Sequence, residues 1–130
     1  MSKQTILIVE DDKSLGQALK VRLQSVDYHV ILAADAYTAV QAVRKNSIDL
    51  VLLDISMPAG DGFKVHQSIS RFSDFTAPVV YISGSQRPKD IRRAKEMGAI
   101  DFVIKPVDPF MVMEKIPSWI NNVTENQAWA

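Results

Sequence analysis

Five residues spread along the chain carry groups that could do chemistry together: Asp11 and Asp12 near the start, then Asp54, Ser83 and Lys105. Each stands at or just past the end of a short apolar run. A fold that sets those runs side by side gathers three carboxylates, a hydroxyl and an ammonium on one rim. Two like charges about 4 Å apart repel by about 4 kcal/mol at an effective dielectric near 20, so the cluster calls for a cation. Lys105 supplies one charge. Hard oxygen donors with no His or Cys nearby favour Mg2+, which keeps waters and takes one or two carboxylates together with phosphate oxygens. A lysine beside such a metal makes a phosphate-binding arrangement, and a carboxylate next to it can attack a phosphoryl donor.

The elements that must position these residues are legible in the apolar pattern. Five runs suit strands: Thr5–Val9, His29–Ala33, Leu50–Asp54, Pro78–Ser83 and Phe102–Lys105. The first, third and fourth are almost continuously apolar rather than alternating, as in strands covered on both faces of a parallel sheet. Between them, apolar residues recur at three or four positions: Leu15, Leu19, Leu23 and Val26; Ala36, Ala39, Val40 and Val43; Val65, Ile69 and Phe72; Ile91, Ala94 and Met97. Each stripe lays one helix face on a sheet. Asp12 and Asp35 suit helix N-caps, Pro88 a first helical turn, Gly98 a helix end, and "DPF" (Asp108–Phe110) the start of a last helix. Pro117 falls inside that last helix and predicts a kink or a separate final turn.

The order βαβαβαβαβα predicts a doubly wound α/β fold with a five-stranded parallel sheet, whose ligands bind beyond the carboxyl ends of the strands. With 130 residues and 47% hydrophobic content the chain suits one compact domain. Fifteen basic and fifteen acidic residues cancel, so no overall field draws it to nucleic acid or to an anionic membrane. No cysteine is present for disulfides or thiolate chemistry, which suits a reducing compartment such as the cytoplasm. The run Ile6–Val9 is shorter than the roughly 7–15 apolar residues of a signal peptide, and nothing approaches the roughly 20 needed to span a bilayer.

"VEDD" (Val9–Asp12), "LLDISMPAGDG" (Leu52–Gly62), "VVYISG" (Val79–Gly84) and "GAIDFVIKP" (Gly98–Pro106) together resemble the receiver domain of two-component response regulators, across residues 4–122. The resemblance implies a flavodoxin-like (βα)5 fold with strand order 2-1-3-4-5. It divides the chain into a receiver domain over 1–123 and a tail or start of a linker over 124–130. It implies that Asp54 accepts a phosphoryl group from a histidine kinase or histidine phosphotransfer protein. Asp12, Asp54 and the Ser56 carbonyl would be direct Mg2+ ligands, Asp11 would act through water, and Glu10 would be a flanking acid. Lys105, before a cis bond to Pro106, would pair with Asp54 and then with a phosphoryl oxygen. Ser83 and Phe102 would transmit the switch to the surface made by the fourth helix, fifth strand and fifth helix, toward a downstream protein or a linked output domain.

The family commonly dimerises through that surface, and Pro117 lies in it, so the oligomeric state is left open. Such a domain catalyses only its own phosphorylation and dephosphorylation. Departures from the pattern are Gly60 before the "DG" pair, Ser56 and Ser85 beside the site, and Phe102 where Tyr is commoner. Two other classes compete: a pseudo-receiver that only binds protein, and a phosphohydrolase with an aspartyl nucleophile. The second would need an acid where this chain has Ser56. Taken singly, the "DD" pair reads as a helix cap, His29 and His66 as ordinary side chains, and "RRAK" (Arg92–Lys95) as a solvated helix face.

Overall fold

A computed structural model describes residues 3–57 and 62–121. Five strands alternate with five helices: β1 (Thr5–Val9), α1 (Lys13–Gln24), β2 (His29–Ala33), α2 (Ala36–Lys45), β3 (Leu50–Asp54), α3 (Gly62–Ile69), β4 (Val79–Ser83), α4 (Pro88–Glu96), β5 (Asp101–Ile104) and α5 (Pro109–Ile120). The strands form one parallel sheet in the order β2-β1-β3-β4-β5. Caps fall where the sequence puts them. Asp12, Asp35 and Asp108 each accept a backbone N–H of the helix that follows, and Pro88 and Pro109 occupy first turns.

Period-2 alternation divides the strand side chains between two apolar layers. Leu7, Val9, Val51, Leu53, Val79 and Tyr81 pack against α2, α3 and α4, whereas Ile6, Ile8, Leu50, Leu52, Val80 and Ile82 pack against α1 and α5. Both faces of β1, β3 and β4 are thus covered, which is why these strands read as unbroken apolar runs. Each fully buried Leu or Ile contributes about 1.5–3 kcal/mol, so the strand ends have a rigid mount. Among the described residues no helix is long and apolar enough to cross a membrane.

The structure adjusts several expectations. β4 starts one residue after Pro78, and β5 runs Asp101–Ile104, leaving Lys105 just beyond the strand. Pro117 does not split the last helix, which continues to Ile120. Trp119, on that helix, is buried and donates its Nε1–H to Asp101 Oδ2 at 2.9 Å. The expectations for Gly60 and for the 124–130 tail lie outside the described residues.

His66 is a core side chain and joins no metal-holding group among the described residues. It is buried on α3, with Nδ1 2.6 Å from the Tyr81 hydroxyl, and burial lowers its pKa below the usual 6.5. The unfolded chain therefore binds the proton first, so His66 takes stability away as pH falls below about 6.5 until the lowered folded value is passed. Glu10, treated below, acts in the opposite direction over a similar range, so the two are separated by substitution. His66→Gln, which still offers Tyr81 a hydrogen bond, should lose less of its urea midpoint than wild type between pH 7.5 and 5.5. Parallel losses in the two proteins would remove His66 from the account.

Candidate functional site

Three strand ends build the site. The register Ile6↔Leu50, Ile8↔Leu52 runs on past Val9↔Leu53, so the next residue, Glu10, arrives beside Asp54. Ile6, Ile8 and Glu10 share one parity of β1, as Leu50, Leu52 and Asp54 share one of β3, so both carboxylates continue the same face. Carboxylate oxygens of Glu10, Asp11 and Asp54 lie within 4.8 Å of one another. Glu10 and Asp54 are 6% and 1% exposed, while Asp11 is open to solvent. From the far side of β4, Lys105 reaches across with its Nζ 3.1 Å from Asp54 Oδ2 and 3.1 Å from Glu10 Oε1. Its backbone N–H donates to Ser83 O at 2.8 Å, and the Lys105–Pro106 bond is cis.

The acids are therefore grouped differently from the sequence expectation. Asp12, expected as a direct ligand, is exposed, and its Oδ1 accepts the Leu15 N–H at 3.2 Å as the cap of α1. Glu10, expected to flank, is buried in the cluster, and its Oε2 accepts the Asp12 N–H at 3.1 Å. The physical reason is where the pleat ends. Glu10 still follows strand alternation, whereas Asp12 already belongs to the helix start.

Charge is short in this cluster. Burial, then the neighbouring Asp54, pushes the Glu10 carboxyl up to about 7 despite the Asp12 N–H and the Lys105 ammonium. Burial pulls Lys105 down, but the hydrogen bonds and charges of Glu10 and Asp54 outweigh it and hold the ammonium above its ordinary value. Glu10 Oε1 is buried without a hydrogen-bond partner although it contacts that ammonium. A buried orphan oxygen and three hard donors within one small sphere fit a divalent cation such as Mg2+.

The remaining groups line the rim. Asp54 Oδ1 accepts the Ser56 N–H at 2.8 Å, and Ser56 itself is exposed. Ser83 is fully buried. Its Oγ accepts the Ser85 N–H at 2.9 Å, and its own proton has no acceptor among the described residues. Phe102 is half-buried, its ring tilted against Tyr81 at 6.4 Å between centroids. Tyr81, in register with Phe102 on β4, brings a hydroxyl to this aromatic group, bonded to His66 and reaching Met97 Sδ at 3.8 Å. That hydroxyl escaped a reading confined to the strand ends.

Gly62 closes the site from below. A Cβ there would stand 2.6 Å from both Asp54 O and Ile55 Cα, backbone atoms that cannot swing aside. Gly62→Ala should cost about 1–3 kcal/mol of stability, the usual overpacking range, and should weaken Mg2+ binding by displacing Asp54. A variant with both the urea midpoint and the Mg2+ affinity of wild type would show that the backbone yields freely.

Comparison with known proteins bears on this geometry. A family model described as the response regulator receiver domain matches residues 6–117. The response regulator GtcR of Aneurinibacillus migulanus is 33% identical over 125 residues, covering 96% of this chain and 50% of that protein. The probable transcriptional regulator ycf27 of Porphyridium aerugineum is 32% identical over 123 residues, covering 95% and 50%. The chain thus spans about half the length of these curated relatives. A two-component response regulator from Clostridium difficile, of known structure, superposes with a TM-score of 0.84 at 28% identity over 94% of this chain and 98% of that one. A CheY-like receiver from Methanospirillum hungatei shares the fold at a TM-score of 0.86, with 24% identity and coverage of 99% and 100%. The chain belongs to the response regulator receiver domains of two-component systems.

Proposed function

We propose that the domain takes a phosphoryl group onto Asp54 from a phosphohistidine of a histidine kinase or phosphotransfer protein. The observation that carries this reading is the buried Asp54 carboxylate, held 3.1 Å from the Lys105 ammonium beside the carboxylates of Glu10 and Asp11. A carboxylate oxygen of Asp54 attacks phosphorus, the P–N bond breaks, and the imidazole nitrogen leaves with its electron pair and takes up a proton. Lys105 neutralises charge on the acceptor and then on a phosphoryl oxygen. Ser83, whose proton is uncommitted, donates to another. Glu10, Asp11 and Asp54 would hold Mg2+, with the Ser56 carbonyl added by the family resemblance. The metal, when bound, supplies charge neutralisation to acceptor and donor oxygens.

The acyl phosphate brings roughly −1.5 to −2 charges on a monoester scale into the cluster. Bonds available only in the modified state bias two arrangements of β4, α4 and β5, with Ser83 and Phe102 as the moving parts. The domain acts on itself alone, and its output passes to a downstream protein or to a linked domain such as a transcriptional regulator would carry. Incubation with a small phosphodonor should add one phosphate per chain in Mg2+ and almost none in excess chelator, read by intact-mass measurement. A chain that takes up none in Mg2+ is a pseudo-receiver.

A further inference from the structure

The turn between β4 and α4 is tied by polar bonds that acceptance itself does not use. Asp90, in the first turn of α4, is a buried acid outside the acidic cluster, 8% exposed. Its Oδ2 accepts the Ser85 hydroxyl at 2.7 Å and Arg87 Nε at 3.0 Å, with Arg87 Nη2 also at 3.0 Å. Ser85 Oγ accepts the Arg87 backbone N–H at 3.2 Å, and the Ser85 N–H donates to Ser83 Oγ at 2.9 Å. Bonds to an ionised carboxylate are among the strong ones. Packing adds little to them. A Cβ on Gly84 would meet nothing within 4 Å, and a cleft of about 600 Å³ lined by Ser56, Ser85, Arg87 and Asp90, among others, opens beside the turn.

Ser83 follows Val79 and Tyr81 onto the sheet face covered by α3 and α4, while Asp54 follows Leu50 and Leu52 onto the opposite face. To reach a phosphoryl group on Asp54 the Ser83 hydroxyl must turn over the rim, away from the Ser85 N–H. We propose that Asp90 is a positioning residue which, through Ser85 and Arg87, keeps the Ser83 hydroxyl bonded to its own turn and so sets how readily it is released to the phosphoryl group. The inference rests on Asp54 being the acceptor. A latch of this kind lowers apparent affinity for anything that requires the released arrangement, by the fraction of molecules released.

The test is titration of the whole chain with beryllofluoride in saturating Mg2+, the beryllofluoride standing for the phosphoryl group, and separately with Mg2+ alone. Loss of one such hydrogen bond should tighten beryllofluoride binding about fivefold in Asp90→Ala and in Ser85→Ala, with Mg2+ affinity unchanged. Asp90→Asn, which keeps an acceptor oxygen for Ser85, should return most of the way to wild type. A merely structural Asp90 would lower the melting temperature without tightening binding. If Asp90→Ala does not fold, Ser85→Ala decides the matter, and variants binding no more tightly than wild type overturn the proposal. A wild type that binds Mg2+ but no beryllofluoride overturns the acceptor reading instead, and the latch with it.

Discussion

Asp54→Asn should take up no phosphoryl group from a small phosphodonor in Mg2+, under conditions where the wild type takes up one. The amide keeps the size and most of the hydrogen-bonding shape of the carboxylate, so the Ser56 N–H can still find an oxygen. What it loses is the anionic oxygen that attacks phosphorus, and the charge that holds the Lys105 ammonium at 3.1 Å. Neighbouring acids do not replace it. Glu10 is buried, with one oxygen on the Asp12 N–H and both near Lys105, while Asp11 is solvated. The variant should fold with a urea midpoint at or above that of wild type, because one member of a like-charge cluster has gone. Intact mass before and after the phosphodonor gives the answer. Equal labelling of the two proteins would move the acceptor elsewhere.

Lys105→Met should be the most destabilising single change at the site. Methionine fills much of the lysine stem's volume, so the loss is mainly that of the ammonium, which faces two carboxylates that are 1% and 2% exposed as side chains. Breaking a buried ion pair from one side costs about 3–5 kcal/mol, and the 26% exposure of the lysine side chain puts this case near the lower end, about 3 kcal/mol at pH 8.

The sign of the pH dependence follows from Glu10, already pushed up to about 7 and carried higher once its cation is gone. A raised carboxyl penalises the fold fully above its folded pKa, and the penalty fades as pH falls and the folded state takes up the proton. The gap in urea midpoint between wild type and variant should therefore narrow from pH 8 to pH 6. Added Mg2+ should restore more stability to the variant than to the wild type. Coincident midpoints at both pH values would mean that the lysine adds no net stability.

Much of this was legible in the sequence because the strands are short, apolar and covered on both faces. Three of the five runs marked from the sequence match the observed strands at both ends, the fourth differs by one residue at its start, and the fifth is shifted by one residue at both ends. Asp11, Asp54, Ser83 and Lys105 stand at the rim for the same reason. The misplacement of Glu10 and Asp12 has a definite cause. Three successive acids carry no apolar contrast, so composition could not say where the strand stopped. The alternation Ile6, Ile8, Glu10, matched to Leu50, Leu52, Asp54, held the missing information. The bond from His66 to Tyr81 leaves no such trace, since it joins α3 to β4 and depends on how the helix settles on the sheet, while that from Ser85 to Asp90 is local and depends on the path of the turn before α4.

The bond between Trp119 and Asp101 has an optical consequence. Trp119 is the tryptophan among the described residues, and its indole N–H is held 2.9 Å from the carboxylate that opens β5, one residue before Phe102. Indole emission responds to the charge and polarity at that nitrogen, so a shift of β5 would register in the fluorescence of the unlabelled protein. The sequence has one other tryptophan, Trp129, and Trp129→Phe would leave Trp119 as the single indole emitter. The domain thus carries its own spectroscopic gauge on the strand through which its switch would run.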